Sequence, residues 1–371
     1  MSELICYDCH KTFSTDQVRW RCDCGGILDL HFVPTFDRRK ISSRAPTLWR
    51  YREAIPIDLD ENIVSFGEGY TPLINLTFGK QNIWIKQDHI FPSGSYKDRG
   101  ASVLISKVKE LGIDHIVEDS SGNAGCAIAS YAARAGIKCD IYVPETTSPA
   151  KLAQIQMSGA HLHKIPGTRE DTARTVMEAA SLHYYASHSW NPYFFQGTKT
   201  FAYEVCEQLG WQAPDVVILP VGNGTLLLGS WIGFNDLYQA GVINKLPQLI
   251  AVQSDGCAPL AKAFATGSTT IPTIEIKKTL AEGIAIAAPI RGHQIIHTIK
   301  SSGGFFITVS ENEILKSLKW ILNQGFYIEP TAAATIAGVE KYIANYSTEK
   351  KCLVSVFSGH GLKSTEKMIN L

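Results

Sequence analysis

The chain is 371 residues long and 45% hydrophobic, and it sets 35 lysines and arginines against 35 aspartates and glutamates. That length and apolar content suit a buried core split over two domains or more. The charge balance excludes the broad basic surface of a nucleic-acid binder and points to a small-molecule partner.

The N-terminal "MSELICYDCH" carries an acid and two cysteines but no apolar h-region, so it reads as a cytoplasmic start without a secretory signal. Cys6 and Cys9 form one knuckle and Cys22 and Cys24 a second. Four facing thiolates would suit a closed tetrahedral Zn²⁺ site, with a redox-active or metal-free set as the alternative. The second knuckle, "RCDCGG", is one residue tighter than the common spacing, and Gly25 and Gly26 would relieve its turn. Cys126, Cys139, Cys206, Cys257 and Cys352 lie in apolar runs, where core packing is expected.

Downstream, short runs rich in valine and isoleucine at 115–119, 138–144, 215–221, 248–253 and 352–357 read as buried strands. Segments of helical spacing lie at 96–111, 123–135, 168–182, 197–209, 310–323 and 330–344. Alternation of the two predicts an α/β fold with parallel-rich sheets flanked by helices. The uncharged stretch "VVILPVGNGTLLLGSWIGFN" is long enough for a membrane span, but Pro220 and the triplet Gly222, Asn223, Gly224 divide it into strand, turn and helix. No membrane partner is expected.

Three glycine-rich turns follow predicted strands, where backbone N–H groups and a helix N-terminus make anion sites. In "DSSGNAG", residues Ser120, Ser121, Gly122, Asn123 and Ala124 would suit a carboxylate. In "PVGNGTL", Gly222, Asn223, Gly224, Thr225 and Leu226 would wrap a phosphate. The third, "FSGHGLK", closes the last strand. No P-loop or clean dinucleotide fingerprint is present. A ligand with one phosphate, a hydrogen-bonding ring and a need for an amine is pyridoxal 5'-phosphate, and Lys97 in "SGSYKDRG" supplies an amine that could hold it as a Schiff base.

With "PSGSYKDRGA" (92–101), "SSGNAG" (120–125), "GNGTL" (222–226), "EPTAAATIAG" (329–338) and "SGHGLK" (358–363) in that order, the chain resembles the fold type II, tryptophan synthase β-like pyridoxal phosphate enzymes. Within them it is most similar to the threonine synthases, many of which share the cysteine ribbon and "CGGILDL" (24–30). The resemblance implies a two-lobed architecture: a ribbon over 1–34, a large lobe from 35–96 and 190–371, and a smaller lobe over 97–189. It places the cofactor in the cleft, which would close on substrate and exclude water, and it brings the expectation of a homodimer. It implies that Lys97 carries the cofactor and moves protons, Asn123 holds the ring, and Ser358 faces the ring nitrogen. A hydroxyl there does not stabilise a protonated ring as a carboxylate would, which favours elimination and replacement over transamination.

One segment, 191–200, departs from the family at two positions. Threonine synthases typically carry an arginine where this chain has Phe194 and a glutamine where it has Thr198, and that arginine is associated with the phosphate of O-phosphohomoserine. Losing one partner of a buried charged hydrogen bond costs about 2–5 kcal/mol, which Lys199 and His188 could offset in part. The expected function is a threonine synthase or close relative. The alternatives are a dehydratase or β-replacement enzyme on serine, threonine or a similar small amino acid, and a non-catalytic binder of pyridoxal phosphate or another metabolite.

Overall fold

The computed structural model describes residues 2–268 and 270–369. The chain divides into two compact units, residues 1–69 with 97–198, and residues 70–96 with 199–371. Strands and helices are numbered along the whole chain.

The first unit opens with an antiparallel ribbon of β1 (Glu3–Cys6), β2 (Thr12–Ser14) and β3 (Leu28–His31), ordered β2-β1-β3. Its helices are α1 (Arg38–Ser43), α2 (Lys97–Glu110), α3 (Asn123–Ala135), α4 (Pro149–Met157), α5 (Arg169–Ala179) and α6 (Pro192–Thr198). Strands β6 (His115–Glu118), β7 (Lys138–Pro144), β8 (His161–Ile165) and β9 (Tyr184–Tyr185) form a parallel sheet ordered β8-β7-β6-β9. Parallel strands need crossovers, and helices α3 to α5 supply them. Helix α3 stops where Gly136 turns left-handed at φ +67° and its N–H returns to the carbonyls of Ala132 and Ala133.

Two expectations about boundaries change here. Residues 35–69, assigned from the resemblance to the larger lobe, pack with α2 instead. The Trp49 indole N–H lies 3.2 Å from Glu68 and 3.1 Å from Ser102, and the Val64 N–H donates to Ser106 Oγ at 2.8 Å. Buried donors must find partners, and α2 provides them. The ribbon is not a separate body either. Leu4, Phe13, Trp20 and Leu28 belong to the same core cluster as Tyr184, Tyr185 and Phe194.

The second unit holds β4 (Leu73–Phe78), β5 (Gln81–Lys86), β10 (Val216–Pro220), β11 (Gln248–Ser254), β12 (Phe305–Val309) and β13 (Leu353–Val356). They form one sheet ordered β12-β11-β10-β13-β5-β4, parallel except for β4. Its helices are α7 (Thr200–Gln208), α8 (Thr225–Gln239), α9 (Pro259–Thr266), α10 (Gly292–Ser301), α11 (Glu311–Asn323), α12 (Pro330–Asn345) and α13 (Thr365–Met368). Every residue of β10 is buried, as its unbroken apolar run requires of a central parallel strand. Both α8 and α12 pack on β10.

The stretch 216–235 thus divides at its glycines into β10, a turn and α8, and among the described residues no helix is long and apolar enough to cross a membrane. The helix expected over 197–209 is broken instead into α6 and α7 at Lys199, where the chain leaves the first unit. Of the five cysteines expected in the core, Cys126, Cys139, Cys206 and Cys257 are buried, while Cys352, just ahead of β13, is half-buried.

Candidate active site

Lys97 is the first residue of α2 and is half-buried. Its approach is pinned within the second unit. Ser95 bridges Gly359, the His360 N–H donates to the Gly94 carbonyl at 2.9 Å, and Lys363 Nζ donates to the Ser93 carbonyl at 2.8 Å. The Tyr96 N–H donates to the Ser358 carbonyl at 3.0 Å, and the Tyr96 hydroxyl lies 2.9 Å from Thr225 Oγ1. The residue bonded to Lys97 is therefore tied to both the "GNGTL" and the "SGHG" loops. Sequence reasoning passed over Tyr96; its only signal was an aromatic hydroxyl immediately ahead of the lysine.

The Gly222–Gly224 turn leaves the C-terminal end of β10. Gly224 is the N-cap of α8 with φ +70°, and being glycine it gives no side-chain cap to the first N–H groups of that helix. A Cβ on Gly222 would lie 3.0 Å from the Ile284 Cα, and one on Gly224 would run into the Ile295 side chain. The turn thus favours glycine at both positions, by close packing at Gly222 and by positive φ at Gly224, and its main chain and the helix N-terminus are the groups that can meet an anion. Thr225 is buried and adds its hydroxyl; Leu226 is buried in its side chain and can offer only main chain.

The second turn follows β6. Ser120 Oγ accepts from the Gly122 N–H at 3.3 Å, and Gly122 caps α3 without a side-chain bond. A Cβ on Gly125 would collide with the Ser120 carbonyl, so the loop folds tightly against the start of α3. Ser120, Ser121 and Asn123 are half-buried, Gly122 is exposed and Ala124 is buried. The third loop carries Ser358, whose Oγ is buried without a hydrogen-bond partner, as is Ser95 Oγ. A buried hydroxyl left so costs about 1–3 kcal/mol. An acceptor such as a pyridine nitrogen would satisfy Ser358.

Phe194 is fully buried beside this lysine. Lys97 Nζ lies 5.8 Å from its ring centroid, and Gly100 gives the ring its space, since a Cβ there would enter it. His188 meets Phe194 edge-on at 6.0 Å and places Nδ1 2.8 Å from Glu118 Oε1. Burial pushes the Glu118 carboxyl up to about 7, opposed by the Asp119 N–H and the charge of Lys97. His188 is thus engaged by Glu118. Lys199 is also engaged: it is buried with Nζ 3.0 Å from Asp236 Oδ2. Desolvation lowers the pKa of Lys199, and Asp236 raises it in opposition. With Asp236 beside it, Lys199 would meet a substrate phosphate as one half of an ion pair rather than as a lone cation.

In the ribbon the sulfurs of Cys6 and Cys24 are 3.5 Å apart, as are those of Cys9 and Cys22, and all four lie within 4.8 Å of one another. A disulfide needs about 2.05 Å, whereas a tetrahedron with Zn–S of about 2.3 Å spaces its sulfurs about 3.8 Å apart. The tight second knuckle is accommodated as expected: Gly25 takes φ +87°, and a Cβ on Gly26 would strike Asp8.

A family model described as "Pyridoxal-phosphate dependent enzyme" matches residues 64–359, and the chain belongs to that family of fold type II enzymes. Threonine synthase of Methanocaldococcus jannaschii is 33% identical over 98% of this chain and 93% of its own length. Threonine synthase of Methanosarcina acetivorans is 31% identical over 100% and 94%. Within the family, then, the chain is a lyase-type enzyme of the threonine synthase group. A solved structure of threonine deaminase isoform 2 from Solanum lycopersicum shares the fold, with a TM-score of 0.69 and 20% identity over 91% of this chain and 90% of that one.

Proposed function

We propose that the chain is a threonine synthase, eliminating the γ-phosphate of O-phosphohomoserine and adding water at Cβ to give L-threonine. The observation that carries this reading is the pair of hydrogen bonds from Tyr96 to Thr225 and Ser358, which brings the main chain beside Lys97 to both loops of the second unit.

The residues fit pyridoxal phosphate on three counts: a helix N-terminus without a side-chain cap behind two closely packed glycines, a buried hydroxyl in want of a partner, and the Lys97 amine next to Tyr96. Gly222 to Leu226 would hold the phosphate through main-chain N–H groups and the Thr225 hydroxyl. Ser358 would meet the ring nitrogen, Asn123 would steady the ring, and Lys97 would hold the aldehyde carbon. When bound, the coenzyme supplies an electron sink for charge developing at the substrate Cα. Lys97 Nζ is then the base that removes and returns protons. The N-terminus of α3, from Ser120 to Ala124, orients the substrate carboxylate.

We infer that the four ribbon thiolates hold a structural zinc ion, as their spacing suits. A second reading, a dehydratase or β-replacement enzyme on serine, threonine or a similar small amino acid, is favoured by Phe194, which puts an apolar ring where an arginine is typical, and by Lys199 being paired internally. Incubation with O-phosphohomoserine, serine and threonine in turn separates the two. Release of phosphate with equimolar threonine supports the synthase. Conversion of serine or threonine to a 2-oxo acid, with O-phosphohomoserine untouched, rejects it.

A further inference from the structure

Away from these loops, one patch of the four-stranded sheet gathers His115, Asp140, His161, His163 and His183. Asp140 in β7 is the register partner of His161 in β8. His163, two residues further along, faces the same side because strand side chains alternate. His161 Nδ1 is 3.5 Å from Asp140 Oδ1, and His163 Nε2 is 3.5 Å from Asp140 Oδ2. One ligand atom from each of the three residues lies within 4.8 Å of the others.

We propose that Asp140, His161 and His163 form a second metal site, for a divalent transition ion of the zinc class. Neutral imidazoles with one carboxylate are the ligand set such ions take. Bonds of about 2.0–2.2 Å set tetrahedral ligand atoms about 3.3 Å apart, so the cluster needs only small side-chain adjustments. The plain alternative is two surface histidines hydrogen-bonded to an aspartate. At 3.5 Å those contacts are too long to be good hydrogen bonds, and His163 Nε2 is buried without a hydrogen-bond partner.

The surroundings resemble a support shell. His115 Nε2 lies 3.0 Å from Asp140 Oδ2, and its ring packs on His183 at 3.8 Å between centroids. Tyr142 stacks on His163 at 4.5 Å and 9°, fixing that ring. Outer partners of this kind hold first ligands in place. The His161 side chain is 74% exposed, so an ion reaches the site from solvent, and water completes the coordination. Bound metal would tie the edge strand β8 to β7.

Cobalt(II) titration of the untagged holoenzyme tests this, because thiolate ligation gives intense charge-transfer absorption and imidazole–carboxylate ligation gives only weak d–d bands. A thiolate-free equivalent is expected in the wild type, weakened at least tenfold in His161→Ala and in His163→Ala. His115→Ala should weaken it by about 10–100-fold, as a positioning partner does. His161 is exposed, so its variant should keep the wild-type circular dichroism. If no thiolate-free equivalent binds, or if it survives in the His161→Ala/His163→Ala double variant, the site does not exist.

Discussion

Ser358 and Glu118 are polar side chains whose burial sets the conditions under which they are stable. Ser358 Oγ is an unsatisfied hydroxyl, so Ser358→Ala should raise the stability of the coenzyme-free protein by about 1–3 kcal/mol. The same change should weaken pyridoxal phosphate binding by up to about tenfold, one net hydrogen bond. Melting of both forms, with a coenzyme titration, checks the pair of opposite signs. Glu118 behaves differently. Folded, it keeps its proton up to about pH 7, against an ordinary value of 4.5. Folding therefore takes up a proton between those values, so stability falls as pH rises through that window and levels off above it. The fall is roughly 3 kcal/mol at about 1.36 kcal/mol per tenfold in proton binding. Unfolding free energies measured from pH 4.5 to 8 should show this decline, and Glu118→Gln should flatten it.

Helix termini frame the proposed coenzyme site at the next scale, and glycines decide where those termini sit. Gly224 combines φ +70° with the Ile295 side chain lying where a Cβ would stand. Gly224→Ala should strain the turn by about 1–2 kcal/mol and displace the first N–H groups of α8. Coenzyme affinity is expected to drop tenfold or more while Lys97 stays chemically competent, so borohydride should still trap the coenzyme on Lys97 at saturating concentration. Gly100→Ala acts through packing: its Cβ enters the Phe194 ring, and overpacking of that kind costs about 1–3 kcal/mol. The expected result is a lower melting temperature and reduced turnover, since α2 begins with Lys97.

These elements were also the legible ones. The run at 215–221 announced itself by the apolar stretch Val216 to Leu219 and the run at 138–144 by Ile141 and Val143 alternating with Tyr142, and the glycine turn after 215–221 was readable from Pro220 and the triplet alone. Strand β8, "HLHKI", was not read, because a half-exposed edge strand carries polar residues and loses its apolar pattern. The hairpin β4–β5 was missed although "LINLTF" alternates, because β4 is an edge strand with only Phe78 buried and the burial of β5 depends on its pairing with the distant β13. Nor could sequence show Tyr96 bonding to Thr225, 129 residues away, or Lys199 finding Asp236. Such contacts are fixed by how strands order in the sheet, which no local window contains.

For the molecule as a whole, the ribbon decides how far a local metal site reaches. Trp20 meets Tyr185 and Trp190 edge-on at 5.1 and 5.5 Å, and the Tyr184 hydroxyl donates to the Arg19 carbonyl at 3.2 Å. The knuckle Cys22–Cys24 begins two residues after Trp20, so loss of the proposed zinc ion would free a loop that is packed into the core of the first unit. Binding of an ion to the folded state alone stabilises it by mass action, and structural zinc also organises its loops outright. Removal of zinc with a mild chelator should therefore lower the melting temperature of the whole first unit by several degrees, at about 2–4 °C per kcal/mol, and should change tryptophan fluorescence through Trp20 and Trp190. Cys9→Ser, at an exposed ligand, should reproduce both effects without disturbing the core. The second unit has its own hydrophobic cluster and sheet, so coenzyme-phosphate affinity measured with Gly222–Thr225 intact should change far less than stability. Freshly prepared, reduced protein that contains no zinc, or a Cys9→Ser variant that melts with the wild type, would leave the ribbon as a packed but metal-independent extension of the core.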